Sequence, residues 1–324
     1  MKRITLTSSV RALACASLVG LLAGCSSVPQ WESLKSWGPL KTLTRKAQTP
    51  PASTEGLAPA RERPELLLGL TLDHTLVTFQ ASTPGQLVSQ VRLKGLKAGE
   101  EVLGMDFRVA RGQLFMLTSA GRLLRVDPNT GDSTPVGSGV TLPAGSSWGV
   151  DFNPTVDRIR VVSDLGFNLR LHPDTGAQID GDSAAEGLQG DGPLRYAQGD
   201  LLSGTTPRVV GAGYTYNAQN DKITTNYAID AGAGYLVIQG SLEGASPVVS
   251  PNTGLLTSVG PLQIDRFDQA SFDIADVGNA AYLVTQVAGR VESRLYEVDL
   301  GSGQARLIGA VAAGQALRAL AIVP

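Results

Sequence analysis

The chain has 324 residues, 42% hydrophobic but only 5% aromatic, with 38 glycines, two cysteines and a formal net charge of −2. That is ample apolar material for one large buried core or two modest ones. No basic stripe with interleaved aromatics is present, which excludes nucleic-acid binding, and two cysteines exclude a disulfide-stapled scaffold.

In chain order, the first element is a leader. Lys2, Arg3 and Arg11 precede an apolar run from Ala12 to Leu22. At about 1.5 Å per residue this run is too short to span a bilayer, but it suits a signal-peptide core. It ends in Leu22-Ala23-Gly24-Cys25, which resembles the lipobox of bacterial lipoproteins. The resemblance implies cleavage after residue 24, a lipid on Cys25 and a membrane partner reached through that lipid. Several acyl chains, at about 0.8 kcal/mol per buried methylene, anchor a protein stably. Ser26, rather than Asp, resembles the sorting default for the outer membrane, facing the periplasm. With Cys15 lost in the leader and Cys25 lipidated, the mature chain has no free thiol for a metal site or a nucleophile.

Residues 25–65 read as a lipidated flexible tether. Pro29, Pro39, Pro50, Pro51, Pro59 and Pro64 punctuate a segment of little periodicity, and the folded domain is expected over 66–324.

That domain is predicted to be all-β from its many short apolar runs, its frequent glycine and the lack of a long 3.6-residue period. An internal repeat organises it. Leu103–Phe107 (LGMDF), Trp148–Phe152 (WGVDF) and Ala270–Ile274 (ASFDI) each open a unit. Each unit continues into a second apolar run, a third run and a turn whose glycine is Gly131, Gly176 or Gly303. More degenerate units carry Gly254 and Gly85. Proline, asparagine or aspartate with glycine suits a tight turn in which glycine takes the positive φ. Four short strands per unit of roughly 45 residues, repeated about five times, is the pattern of a β-propeller. Five blades are predicted, with six as the alternative because the fourth unit is long. Leu66–Leu70 resembles a second strand without an opener, and Leu317–Val323 an opener without a unit. Their pairing would close the ring.

From Glu101 onward the chain resembles the bacterial family known as domain of unknown function 4394. The carrying segments are Gly149–Ser163, Asn168–Gly176 and Pro207–Thr215. The resemblance implies an exported propeller-like domain over 66–324 and brings no activity, cofactor or catalytic residue with it.

Two constellations could carry chemistry. Asp106, Asp151 and Asp273 hold one position on three opening strands, which in a propeller lie nearest the central channel. They could converge as oxygen ligands for Ca²⁺ or Mg²⁺, or share a proton for acid–base work. Alternatively, each could accept backbone N–H bonds from the next blade. Arg160 departs from the repeat, since its sibling is Phe115. With strand alternation it could join Asp151, Asn168 and Arg170 to hold a carboxylate or phosphate, or pair internally with Asp151 or Asp157. Asp180–Glu186 has an acidic spacing that fails the EF-hand template and reads as a solvated turn, and His172 reads as a turn residue. The expected function is a non-catalytic binding or scaffold propeller with an unknown protein or glycan partner. The alternative is a metal-dependent, lactonase-like hydrolase using the channel carboxylates.

Overall fold

The computed structural model describes residues 55–287 and 290–324. The leader, Cys25 and most of the tether lie outside these residues. Within them the chain forms five small antiparallel sheets arranged as a five-bladed propeller.

Blade 1 contains β1 (Leu66–Thr71), β2 (Thr75–Gln80) and β3 (Leu87–Arg92). Blade 2 contains β4 (Val102–Arg108), β5 (Gln113–Thr118), β6 (Leu123–Val126) and β7 (Ser133–Val136). Blade 3 has three strands, β8 (Trp148–Asn153), β9 (Arg158–Ser163) and β10 (Asn168–Leu171). In place of a fourth strand it sends a long loop to the short β11 (Arg195–Tyr196). Blade 4 comprises β12 (Val209–Tyr214), β13 (Asn226–Asp230), β14 (Tyr235–Gln239) and β15 (Leu255–Pro261), with β11 added in parallel on its outer edge. Blade 5 is β16 (Gln269–Ile274), β17 (Ala281–Gln286), β18 (Ser293–Val298) and β19 (Ala305–Ala310). The last strand, β20 (Leu317–Ile322), pairs antiparallel with β1, in the register Leu67 to Ile322 and Gly69 to Leu320. The chain's end thus supplies blade 1 with its inner strand, as the two incomplete units at the termini predict.

Burial follows the radial position of each strand. The inner strand β12 is buried at every residue, whereas the outer strand β3 is largely exposed. Each neighbouring pair of blades encloses its own apolar cluster. The cluster between blades 3 and 4 has eight buried members, against ten to fourteen elsewhere. Polar side chains occupy the remainder of that one interface.

The turn glycines lock blades together. Gly131, Gly176, Gly254 and Gly303 all have positive φ. A Cβ there would lie 2.1 Å from Arg92 O, 2.3 Å from Val136 O, 2.2 Å from Gly192 O and 2.5 Å from Gly260 O respectively. Glycine is therefore required twice over, by conformation and by the backbone of the preceding blade or its loop. Gly85 differs. Its φ is not positive, and a Cβ would meet Ala310 O at an ordinary 3.5 Å.

Order begins before Glu65. Residues 55–64, expected as the end of the tether, run along the outside of blade 5. Leu57 bridges Leu307, and Ala58 N donates to Leu307 O at 2.8 Å. Arg63 Nη2 donates to Glu297 Oε2 at 2.7 Å, and Tyr296 OH donates to Glu55 Oε1 at 2.8 Å.

Candidate functional sites: the channel and the cleft between blades 3 and 4

The repeated aspartates do converge. Asp106 on β4, Asp151 on β8 and Asp273 on β16 are all buried, and one carboxylate oxygen of each lies within 4.8 Å of one from each of the others. Among the described residues this is the group of acidic or histidine side chains spaced to hold a cation.

Their hydrogen bonds define another role. The residue after the repeated position presents an N–H in every inner strand: Phe107, Phe152, Tyr214, Ile274 and Ile322. Asp106 Oδ2 accepts from Phe152 N at 2.7 Å, Asp151 Oδ1 from Tyr214 N at 3.0 Å and Asp273 Oδ2 from Ile322 N at 2.6 Å. Each of these bonds runs to the next blade of the ring. Blades 4 and 1 carry Gly213 and Ala321 at the repeated position and cannot reach forward. The donors left over are taken by the aspartate of their own strand: Phe107 N by Asp106 Oδ1 at 2.7 Å, and Ile274 N by Asp273 Oδ1 at 2.6 Å. Three carboxylates thereby satisfy five buried donors, and Asp151 Oδ2 alone accepts no N–H. Gly213 is itself dictated by packing, since a Cβ would come within 2.9 Å of the Phe272 ring.

Three buried carboxyls this close cannot all ionise. Burial, reinforced by Asp273, pushes Asp106 well above the usual carboxylate range. Burial together with Asp106 and then Asp273 does the same for Asp151. Burial raises Asp273 to about 7, against the opposing pull of its two N–H donors. The cluster therefore titrates as a unit and retains protons at neutral pH. N–H donors favour the charged form, so a proton is best held on Asp151, which has one donor where the others have two.

The second constellation lies between blades 3 and 4. Arg160 on β9 is 2% exposed. Its Nη1 donates to Asp191 Oδ2 at 2.5 Å and to Asn168 Oδ1 at 2.7 Å. Its Nη2 donates to Asn252 Oδ1 at 2.6 Å, and its Nε to the Tyr214 hydroxyl at 3.2 Å. Burial opposes the charge of Arg160, and Tyr214 and Asp191 more than offset it. Arg170 grips the same carboxylate, its Nε and Nη2 each 2.8 Å from an Asp191 oxygen.

Of the predicted cluster, Arg160, Asn168 and Arg170 come together, whereas Asp151, directly across from Arg160 in the β8–β9 register, accepts its hydrogen bond from Tyr214 N instead. Asp191 takes the place expected for a bound carboxylate or phosphate, so the two guanidiniums are not a vacant anion seat. Nor is the internal partner Asp151 or Asp157. Asp157 accepts instead from Arg108 Nε at 2.8 Å, which links blade 2 to blade 3. His172 Nδ1 accepts Asp174 N at 3.1 Å, a turn contact, and Asp180 Oδ1 accepts Gln189 N at 3.1 Å across the acidic loop.

Beside Arg160 opens a cleft of about 500 Å³, within the usual range for small-molecule sites. Arg160, Arg170, Tyr214, Asn226, Gln239 and Glu243 are among its lining. Tyr214, Asn226 and Gln239 lie abreast on β12, β13 and β14, since Tyr214 pairs with Asn226 and Asn226 with Gln239. Four of the atoms here are buried without a hydrogen-bond partner: Asn226 Nδ2, Asn226 Oδ1, Gln239 Oε1 and Glu243 Oε2. Asn226 is 2% exposed and Gln239 fully buried.

Asp191, Asn226, Gln239, Glu243 and Asn252 were not singled out in the sequence. Asp191 and Glu243 lie in loops with no sibling in the repeat, and Asn252 sits in the repeated turn ending at Gly254, where its siblings Asn129 and Asp174 make it read as a turn residue alone. A signal did exist for the other two. Counting back from the tight turn between Asp230 and Tyr235 pairs Asn226 with Gln239, two amides at the far end of a hairpin whose intervening residues are apolar on both strands.

Residues 75–321 match the model of the family described as Domain of unknown function (DUF4394). No curated protein matches the chain. Among solved structures, a structural-genomics protein of unknown function from Bacteroides thetaiotaomicron is 14% identical, with a TM-score of 0.41, covering 78% of this chain and 57% of its own. The chain thus spans little more than half the length of that relative. A putative 6-phosphogluconolactonase from Bacteroides uniformis is 16% identical, with a TM-score of 0.33 and coverage of 82% and 72%. TolB from Acinetobacter baumannii is 9% identical, with a TM-score of 0.38 and coverage of 76% and 52%.

Proposed function

This chain belongs to the DUF4394 family, and from that premise and the geometry of its two polar sites we propose that it is an envelope lipoprotein whose propeller binds a ligand without transforming it. The lipid on Cys25 is the anchor, in the outer membrane facing the periplasm, and the seat is the cleft between blades 3 and 4. The observation that carries this reading is Asn226, whose side-chain amide is buried with neither atom paired. Buried polar groups are almost always hydrogen-bonded, and leaving one unpaired costs about 1–3 kcal/mol. A fold keeps such a cost where a ligand offsets it.

The competing reading, a metal-dependent hydrolase, draws on Asp106, Asp151 and Asp273. Engagement of five of their six oxygens by backbone N–H groups gives the cluster a structural role of its own, which disfavours that reading. A cation would have only the remaining lone pairs of these oxygens and the one free oxygen of Asp151.

The binding reading is tested by unfolding ligand-free Asn226→Leu in denaturant. A raised midpoint supports a seat held open at the expense of stability. A lowered midpoint would make Asn226 structural and sink the reading. The anchor is tested by metabolic labelling with a palmitate analogue, expected in the native chain and lost in Cys25→Ala.

A further inference from the structure

We propose that the cleft between blades 3 and 4 seats a neutral polyhydroxy ligand, a saccharide or a related polyol. This rests on the cleft being a ligand seat, as proposed above.

The argument starts from what the floor lacks. Three of its unpartnered atoms are acceptors, Asn226 Oδ1, Gln239 Oε1 and Glu243 Oε2, and one is a donor, Asn226 Nδ2. The orientation of Gln239 is fixed by its own bonds, because Nε2 donates to Asn168 Oδ1 at 3.0 Å and to Pro251 O at 2.8 Å. Its free atom can only accept. The complementary ligand must donate at several points and accept at one. Hydroxyl groups do both from a single atom.

Charge narrows the class. A carboxylate or phosphate would place acceptor oxygens against three unpaired acceptors, one of them a carboxylate. An ammonium would find those acceptors but would sit beside Arg160, Arg170 and Lys222, which also line the cleft. The fixed charges here are of both signs, with Arg160 and Arg170 sharing Asp191, and with Lys222 and Glu243 also in the lining. A neutral group that both donates and accepts meets all of them without adding an unpaired charge.

The rim supplies the other half of the recognition. Val156, Leu242 and Val248 line the cleft and are 57%, 51% and 78% exposed. A sugar ring has C–H faces as well as hydroxyls, and these aliphatic side chains can cover such a face. The four floor atoms are closed to water in the free protein. The ligand reaches them by shifting the side chains above them, and its hydroxyls then replace missing bonds rather than existing ones.

The test uses the full chain in detergent, melted against neutral monosaccharides, neutral oligosaccharides, inorganic phosphate and spermidine, with saturation-transfer NMR on the sugars. A ligand that binds only the folded state raises the melting temperature. The expected result is a rise of several degrees with at least one neutral sugar, none with phosphate or spermidine, and loss of the rise in Asn226→Leu and Gln239→Met. Free monosaccharide binding would identify a soluble sugar as the source, and oligosaccharide binding alone a glycan chain. A response to phosphate or spermidine instead, or a sugar response that survives both substitutions, would overturn the proposal. If no sugar binds while Asn226→Leu stabilises the free protein, the ligand class is wrong and the seat stands. If Asn226→Leu destabilises it, the seat itself is wrong.

Discussion

The channel and the cleft between blades 3 and 4 both bury polar side chains, yet they treat them in opposite ways. In the channel, three carboxylates meet five backbone donors from all five inner strands, and one oxygen is left over. In the cleft, every nitrogen of the Arg160 guanidinium and both amide atoms of Asn168 are hydrogen-bonded, while the neighbouring Asn226 has no partner for either amide atom. The cluster of acids laces the inner strands together through backbone N–H bonds, while the inconspicuous amide of Asn226 is left without a partner. Residue type alone does not disclose this difference.

The comparison can be broken most forcefully at Asp191. It is the shared counter-charge of Arg160 and Arg170 with a side chain 1% exposed. Asp191→Ala leaves buried positive charge uncompensated and should cost about 3–5 kcal/mol by denaturant unfolding. A loss below about 1 kcal/mol, the scale of a surface pair, would mean that the cluster is not buried as described.

Next in size is the channel. Asp106 and Asp273 each serve two donors, so Asp106→Asn or Asp273→Asn leaves one N–H facing an amide NH₂ and should cost about 1–3 kcal/mol. Asp151 serves one donor, and Asp151→Asn keeps that bond, so it should unfold close to the native chain at low pH.

Acidity sharpens the contrast further. Native-state pKa values in the channel are raised above the unfolded value of about 3.9, to about 7 for Asp273. The native state therefore holds protons that the unfolded chain releases. That contribution is complete below the unfolded pKa and is lost as pH rises through the native values. Asp151→Asn removes part of the dependence, so its stability relative to the native chain should improve between pH 5 and pH 8. A relative stability that falls over this interval would show that the carboxylates are not coupled as described. Carboxylates such as Glu100, held near 2 by its hydrogen bonds with Arg122, act in the opposite sense: their contribution is complete at neutral pH and is lost only as pH falls into the acid range.

The smallest expected effect is a null one. Melting after EDTA treatment and then with excess Ca²⁺ or Mg²⁺ should give no shift. A rise of several degrees that disappears in Asp151→Asn would return the channel to metal chemistry and revive the hydrolase reading.

How far the sequence disclosed this follows from what repeats. Asp106, Asp151 and Asp273 share a place because each fastens its blade to the next, and Gly131, Gly176, Gly254 and Gly303 recur because the neighbouring backbone excludes a Cβ. Fold, blade count and ring closure were legible from those residues and from the two half-units at the termini. Arg160 stood out because Phe115 fills its sibling position. Its counter-ion did not, because Asp191 arrives on the loop that replaces the missing fourth strand of blade 3. The same holds for Glu243, in a loop specific to blade 4, whereas Asn252 was hidden by the repeat itself, since Asn129 and Asp174 hold the same place in their turns. Repetition records what every blade needs, and a site built at one interface leaves no repeated trace.

The most direct measurement is a single denaturant series at pH 7 comparing the native chain with Asp273→Asn and Asn226→Leu. Opposite signs are predicted: a lower midpoint when a saturated channel carboxylate is changed, and a higher one when the unpaired cleft amide is replaced. A lower midpoint for both would make the cleft as structural as the channel and contradict the distinction between them.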